Sequence, residues 1–396
     1  MVMSETNAPA ELELLLSEDV ESARDRERST FDRLAGPCAN KIVLFGAGLL
    51  GRRTARGLRS LGIEPLAFAD NNHSGWGTQI EGVPVMSPQD AAKQFGDDAV
   101  FVVTIWTGSG TERMSTRCEF LATIGCSRVL PFTFLYWKHP EVFLPHWAVD
   151  SPHKVLLVAD RVRRAFELLD DEASRREYVA QIRWRLHSDF DALPAPVAHD
   201  MYFADDLLVP DEREVFIDCG AYDGDTVKSF LRHRGDNFSS LTCFEPDPVN
   251  FARLRDYLET LPASTRNKIR LHPFAVGDRH EKVRFQVTGT GSSMVGAGAE
   301  EVECVVLDEF LDGESPTWLK MDIEGAEFAA IRGARRLIGE HAPVLTVCVY
   351  HQQDHLWEIP LLIQSLSSKY RCSLRPHFLE SWDVVFYAVP PGRART

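Results

Sequence analysis

The chain has 396 residues, a length that predicts two domains or three, each large enough to bury its own core. Its formal net charge of −15 argues against sequence-independent binding to nucleic acid, which needs a cationic surface, and against docking on an anionic membrane. The eight cysteines (Cys38, Cys118, Cys126, Cys219, Cys243, Cys304, Cys348 and Cys372) form no CxxC pair, as expected of reduced thiols and not of a disulfide framework or zinc site. The amino terminus lacks the basic start and apolar core of a secretory signal, and no apolar run approaches the ~18 residues of a membrane span. A soluble, cytoplasmic protein is expected.

Residues 1–30 are acidic and polar, with one helical stretch, ELELLLSEDVESARDR. From Lys41 the pattern becomes strand, glycine loop, helix, strand: KIVLF, GAGLLG, RRTARGLRSLG, IEPLAFAD. AVFVVTIW at 99–106 and a short run near Ser127–Leu130 continue it, so that 31–150 is expected to form a parallel sheet covered by helices. Residues 151–210 are helical in spacing and then rich in proline, which suggests a connector. From 211 to 396 the alternation resumes with VFIDCG, LTCFEP, IRLHPFAVGD, VECVVLDEF, WLKMDIEG, PVLTVCVYH, RCSLRPHF and WDVVFYAV as strands. The last two are close enough to pair as an antiparallel hairpin at a sheet edge. The fold class is therefore α/β, with two Rossmann-like units in tandem.

The two glycine loops suit different ligands. Gly46, Gly48 and Gly51 make a GxGxxG between a strand and a helix, and Asp70 ends the next strand, 70 − 51 = 19 residues on. Arg52 and Arg53 follow at once, so a nucleotide or nucleotide-sugar is the expected occupant, against a bare structural turn. The second loop, FIDCGAYDGDT, carries Asp218, Gly220 and Gly224 as DxGxxxG, with Asp223 and Asp225 beside them. Carboxylates repel a pyrophosphate and attract a ligand with an ammonium and a sulfonium, which points to S-adenosylmethionine. Glu245 ends the following strand, 245 − 224 = 21 residues on, where it can accept hydrogen bonds from ribose hydroxyls.

From about Met201 to Val389 these motifs, with FAVGD, SSM, LDEFL and above all KMDIEGAE, resemble the FkbM-type methyltransferase family. The resemblance implies a class I methyltransferase fold, an S-adenosylmethionine cofactor and O-methylation of a sugar or natural-product hydroxyl. It assigns Asp218, Gly220 and Asp223 to the methionine end of the cofactor and Glu245 to its ribose. It sets Ala275, Val276 and Asp278 along the adenine, and Asp322 at the end of the fourth strand. Ser292 and Ser293 match a family serine pair of unstated role. The amino-terminal half resembles the nucleotide-sugar-binding domains of sugar acyltransferases, through Asp70–Asn71 and the Gly82–Val83–Pro84–Val85 element.

Methyl transfer from a sulfonium needs alignment, exclusion of water and a proton acceptor. His351 or Asp322 is the expected base, since both end strands at the carboxyl ends beyond which such sheets bind ligands. The competing readings are a strand-end histidine held by hydrogen bonds and a cofactor-orienting carboxylate. Glu324 and Glu327 are expected to cap the following helix, and His355 and Trp357 to pack, with lining the acceptor pocket as their alternative role. No metal site is assigned, because Asp322 and His351 alone are too few ligands. Two other functions stay open: a nicotinamide-dependent oxidoreductase on GxGxxG, and a non-catalytic nucleotide-sugar-binding protein of a glycan pathway. The expected partner is a small-molecule or glycan acceptor; the oligomeric state is not encoded in any motif.

Overall fold

The structure, a computed structural model, describes residues 7–108, 110–287, 294–295, 298 and 300–395. Ser292 and Ser293 lie outside the described residues. The chain divides into two compact units: residues up to Asp160 with Arg176–Ala195 and Phe378–Trp382, and Arg161–Arg175 with Pro196–His377 and the residues from Asp383 on. Residues 151–210, set aside by the sequence as one connector, are thus shared out between the two.

The first unit is built on strands β1 (Ile42–Phe45), β2 (Ala67–Ala69), β3 (Gln79–Ile80), β4 (Val83–Met86), β5 (Val100–Val103) and β6 (Val129–Pro131), in the order β3-β4-β2-β1-β5-β6. All pairings are parallel except β3 with β4. Every residue of β1, β2 and β5 is buried, which is why these strands are uninterrupted apolar runs and not alternating ones. The helical stretch at the amino terminus is two helices, Ala8–Leu16 and Val20–Ala35, because the first ends at Ser17 and Asp19 caps the second. Its carboxylate accepts hydrogen bonds from the Glu21 and Ser22 amides, at 3.1 and 3.0 Å.

A late piece of the chain completes this core. The Glu380 carboxylate accepts a hydrogen bond from the Met114 amide and lies 3.3 Å from Arg117, while Trp106 donates to the Glu380 carbonyl. Trp382 packs on Trp106 with ring centroids 4.7 Å apart. In the same unit Glu177 is buried, bonded through one oxygen to Gln181 at 2.8 Å.

The second unit continues with β7 (Val215–Cys219), β8 (Ser240–Phe244), β9 (Ile269–His272), β10 (Ala275–Gly277), β11 (Glu281–Gln286), β12 (Met294–Val295), β13 (Glu300–Val306), β14 (Trp318–Met321), β15 (Val344–Cys348), β16 (Arg371–Pro376) and β17 (Val384–Val389). Seven of these make the main sheet, in the order β16-β17-β15-β14-β7-β8-β9. The β16–β17 hairpin closes one edge, and β17 runs antiparallel to β15. The run IRLHPFAVGD, expected as one strand, is two: Pro273 has no amide to donate to a ladder, and the chain leaves the main sheet there. β10 instead joins a separate four-stranded sheet, order β10-β13-β11-β12. None of the eight cysteines is paired, and no described helix is long and apolar enough to cross a membrane.

Burial pushes the Glu177 carboxyl up to about 7. An acid whose folded pKa is raised contributes stability that is present below about 4.5 and lost as pH rises through about 7. Glu177→Gln is therefore expected to raise the melting temperature at pH 8 and to change it little at pH 4.5, measured by paired thermal melts.

Candidate active site

β7 ends at Cys219, and the chain turns through Gly220 (φ +81°), Tyr222 (φ +47°) and Gly224 (φ +90°) into the helix Asp225–Arg234. Gly220 is required twice over. Its backbone is left-handed, and a Cβ there would lie 1.8 Å from the Asp322 carbonyl oxygen, so the loops after β7 and β14 touch where only glycine fits. Glu245, just past β8, clamps the turn. One carboxylate oxygen accepts from the Tyr222 amide and the other from the Asp247 amide, both at 2.8 Å. Burial raises its pKa to about 7 in spite of these two amides.

Asp218 does not lie on the surface of this loop, as the sequence suggested, but beneath it. It is fully buried with its carboxylate 3.0 Å from Lys320 Nζ. Lys320 also donates to the Gly220 carbonyl at 2.6 Å. The physical reason is that β7 and β14 are adjacent and in register, with Asp218 opposite Lys320. Burial pushes the Asp218 carboxyl up to about 6, opposed by Lys320, whose own pKa the surrounding acids raise against burial. Asp223 stays at the loop, 3.5 Å from Lys228. Ala275 and Val276 are buried in β10, while Asp278 faces Arg332 at 3.6 Å.

Past the ends of β14 and β15 the structure gathers more chemistry than the sequence announced. His351 is buried, with Nδ1 2.8 Å from Glu327 Oε1 and Nε2 3.4 Å from Asp322 Oδ1 and 3.6 Å from Glu324 Oε2. The other oxygen of Asp322 accepts from the Tyr202 hydroxyl at 2.7 Å. Glu327 fills its remaining lone pairs with the Ile323 amide at 2.8 Å and the Gly325 amide at 3.1 Å, and His355 Nδ1 stands 3.3 Å away. Glu324 sits at φ +57°, an uncommon backbone for a residue with a Cβ.

Burial works against a charge on His351, but Glu327, Glu324 and Asp322 outweigh it and raise its pKa to about 10. Burial, reinforced by Asp322, raises Glu324 to about 8 and Asp383 to about 6. Asp322, Glu327 and His351 also offer ligand atoms within 4.8 Å of one another. His351 and Asp322 thus come together as the sequence expected. Tyr202, Lys320, Glu327's pairing with His351 and Asp383 were missed. Only the lone lysine inside the apolar run WLKMD was a visible signal. His355 and Trp357 are buried at the start of the helix His355–Leu366.

The first unit repeats the clamp of the second. Asp70 accepts from the Ala47 amide at 2.6 Å and the Asn72 amide at 2.7 Å. A Cβ on Gly51 would lie 1.9 Å from the Gly46 carbonyl oxygen, so these glycines serve close helix–strand packing.

Residues 218–371 match the family model described as the methyltransferase FkbM domain. The second unit therefore carries a stretch similar to the methyltransferase FkbM domain, which supports a methyltransferase. The chain is also similar in fold to a methyltransferase FkbM from Methylobacillus flagellatus KT: TM-score 0.73, 22% identity, 96% of this chain and 98% of that one covered. A putative rRNA methylase from Clostridium thermocellum aligns over 46% of this chain and 88% of its own, with 10% identity and a TM-score of 0.31. An rRNA methylase from Streptococcus thermophilus aligns over 45% and 89%, with 12% identity and a TM-score of 0.28. Among curated proteins, none matches the sequence.

Removing the lysine under the loop leaves a buried carboxylate without its counter-charge. Lys320→Met is expected to destabilise the protein by about 3–5 kcal/mol, read as the loss in unfolding free energy in a denaturant titration.

Proposed function

We propose that the protein is an S-adenosylmethionine-dependent O-methyltransferase acting on a hydroxyl of a sugar or natural product. The observation that carries this reading is the match of residues 218–371 to the methyltransferase FkbM domain, together with the acids gathered at the loop after β7, where two amides hold Glu245. Its carboxylate is presented at the end of the second strand, where a cofactor ribose would meet it. The acids around this loop favour a cationic, phosphate-free cofactor over a dinucleotide. That argues against the oxidoreductase alternative, as does the FkbM match itself.

In the reaction, a lone pair of the acceptor oxygen attacks the methyl carbon and the C–S bond breaks with its electrons left on sulfur. The O–H proton passes to the Asp322 carboxylate. An acceptor beyond β14 and β15 meets Asp322, Glu324 and His351, so that alignment and proton removal occur at one place. Asp322 is proposed to accept that proton and His351, charged beside Glu327, to position it, with Gly220, Asp223, Gly224 and Glu245 holding the cofactor and Asp218 supporting it from below. Ala275, Val276 and Asp278 are proposed along the adenine. The acceptor is proposed to be a small molecule or glycan. The nucleotide-sugar expected at Gly46, Gly48, Gly51 and Asp70 finds no support in the matched family or structures and does not enter the proposal.

Calorimetric titration with S-adenosylhomocysteine is expected to give micromolar binding, about −8 kcal/mol at 1 μM. Glu245→Ala is expected to weaken it at least tenfold. Absence of binding by folded wild-type protein would sink the cofactor assignment.

A further inference from the structure

Tyr202 is a bulky aromatic residue in a backbone conformation that favours glycine. It sits in a turn with φ +72°, and it is 2% exposed. A left-handed φ at such a residue is strained. It persists only where neighbouring contacts enforce it, and residues of this kind cluster at functional sites. Backbone and ring are held separately here. The Tyr202 amide donates to the Tyr387 hydroxyl of β17 at 3.2 Å, and that hydroxyl is itself 2.7 Å from His377 Nε2. From β14, Lys320 Nζ lies 5.0 Å from the centre of the Tyr202 ring.

These contacts fix the direction of one hydroxyl. It donates to Asp322 Oδ2 at 2.7 Å and stands 3.6 Å from Cys348 Sγ. A phenol has a single proton, so with that proton on Asp322 the thiol is the donor in the second contact. Burial, reinforced by Asp322, raises the phenol well above its ordinary range, and burial does the same to the Cys348 thiol, so both keep their protons. Tyr202 is thus too buried to meet an acceptor and too firmly protonated to take its proton. What it can do is act through Asp322. An aspartate free to turn about its last torsion presents either oxygen in many directions. With Oδ2 bound, Oδ1 stays on the side of His351, 3.4 Å from Nε2. Proton transfer needs the accepting atom aligned and within hydrogen-bond reach of the donor.

We infer that Tyr202 is the positioning residue of Asp322: its hydroxyl holds Oδ2, and its left-handed backbone, anchored by Tyr387, aims that hydroxyl. The inference rests on the proposed methyl transfer for its purpose, since Asp322 is the proton acceptor there. The geometry it asserts can be read without turnover. Tyr387 then influences Asp322 through Tyr202, which separates an ordered chain of contacts from three residues that merely pack side by side.

The test is carbon NMR of the full chain at pH 8, with aspartate carrying carbon-13 at its side-chain carboxyl. The Asp322 signal is the one that Asp322→Asn removes. Tyr202→Phe is expected to displace it by more than its line width, and Tyr387→Phe to displace it in the same direction. The double variant is expected to match Tyr202→Phe alone, because the second change acts through the first. Thermal melting establishes that each variant is folded. A Tyr202→Phe protein of lowered melting temperature whose Asp322 signal stays in place overturns the inference, because the tyrosine then serves the fold only. So does a signal that Tyr387→Phe leaves unmoved, or displacements that add in the double variant. Calorimetry with S-adenosylhomocysteine on the wild-type sample keeps the two readings apart. Absence of binding there removes the methyl-transfer reading and leaves Tyr202 as the residue that positions Asp322.

Discussion

The ion pair between Lys320 and Asp218 is the contact on which the second unit's site depends. It joins two neighbouring strands at the level where their loops begin, and neither partner is reached by water. The lysine does three further things from that position. It gathers the Gly220 carbonyl, lies 5.0 Å from the centre of the Tyr202 ring, and through that ring lies next to the hydroxyl that holds Asp322. The loop after β7 and the acid past β14 are thereby set by one ammonium group. A buried pair of this kind adds little net stability over an apolar pair of equal volume. Its place here is explained by the geometry it imposes.

Much of this architecture was legible in the sequence, because its strands are buried on both faces. Such strands appear as unbroken apolar runs, and KIVLF, VFIDCG and PVLTVCVY announce β1, β7 and β15 without ambiguity. The glycines and strand-end acids were legible for a similar reason: positive φ and close backbone approach leave few residue choices. What stayed hidden depends on pairing between distant strands. Nothing in WLKMD says that its lysine will face Asp218, which stands about a hundred residues earlier. Glu327 looked like a helix cap, and it is one, through Ile323 and Gly325; its second partner, His351, lies on another strand. Asp383 joins the pocket only because β17 returns beside β15.

The two units use one device with different acids. In each, the carboxylate ending the second strand accepts an amide from the glycine loop and another two residues beyond itself. Aspartate does this in the first unit and the longer glutamate in the second. The geometry belongs to the strand–loop–helix turn and is independent of the ligand. A strand-end acid therefore marks this class of turn, and the charges around it carry the information about what binds.

The backbone at Glu324 has a consequence for how this chain can change. A left-handed φ at a residue with a side chain is a conformation that glycine adopts without strain, and the next residue is already a glycine. A glycine at position 324 would relieve that strain while erasing the carboxylate that faces His351. Position 324 is thus a site where robustness and chemistry select opposite residues. Screening variants for heat resistance alone would drift toward the residue without the carboxylate.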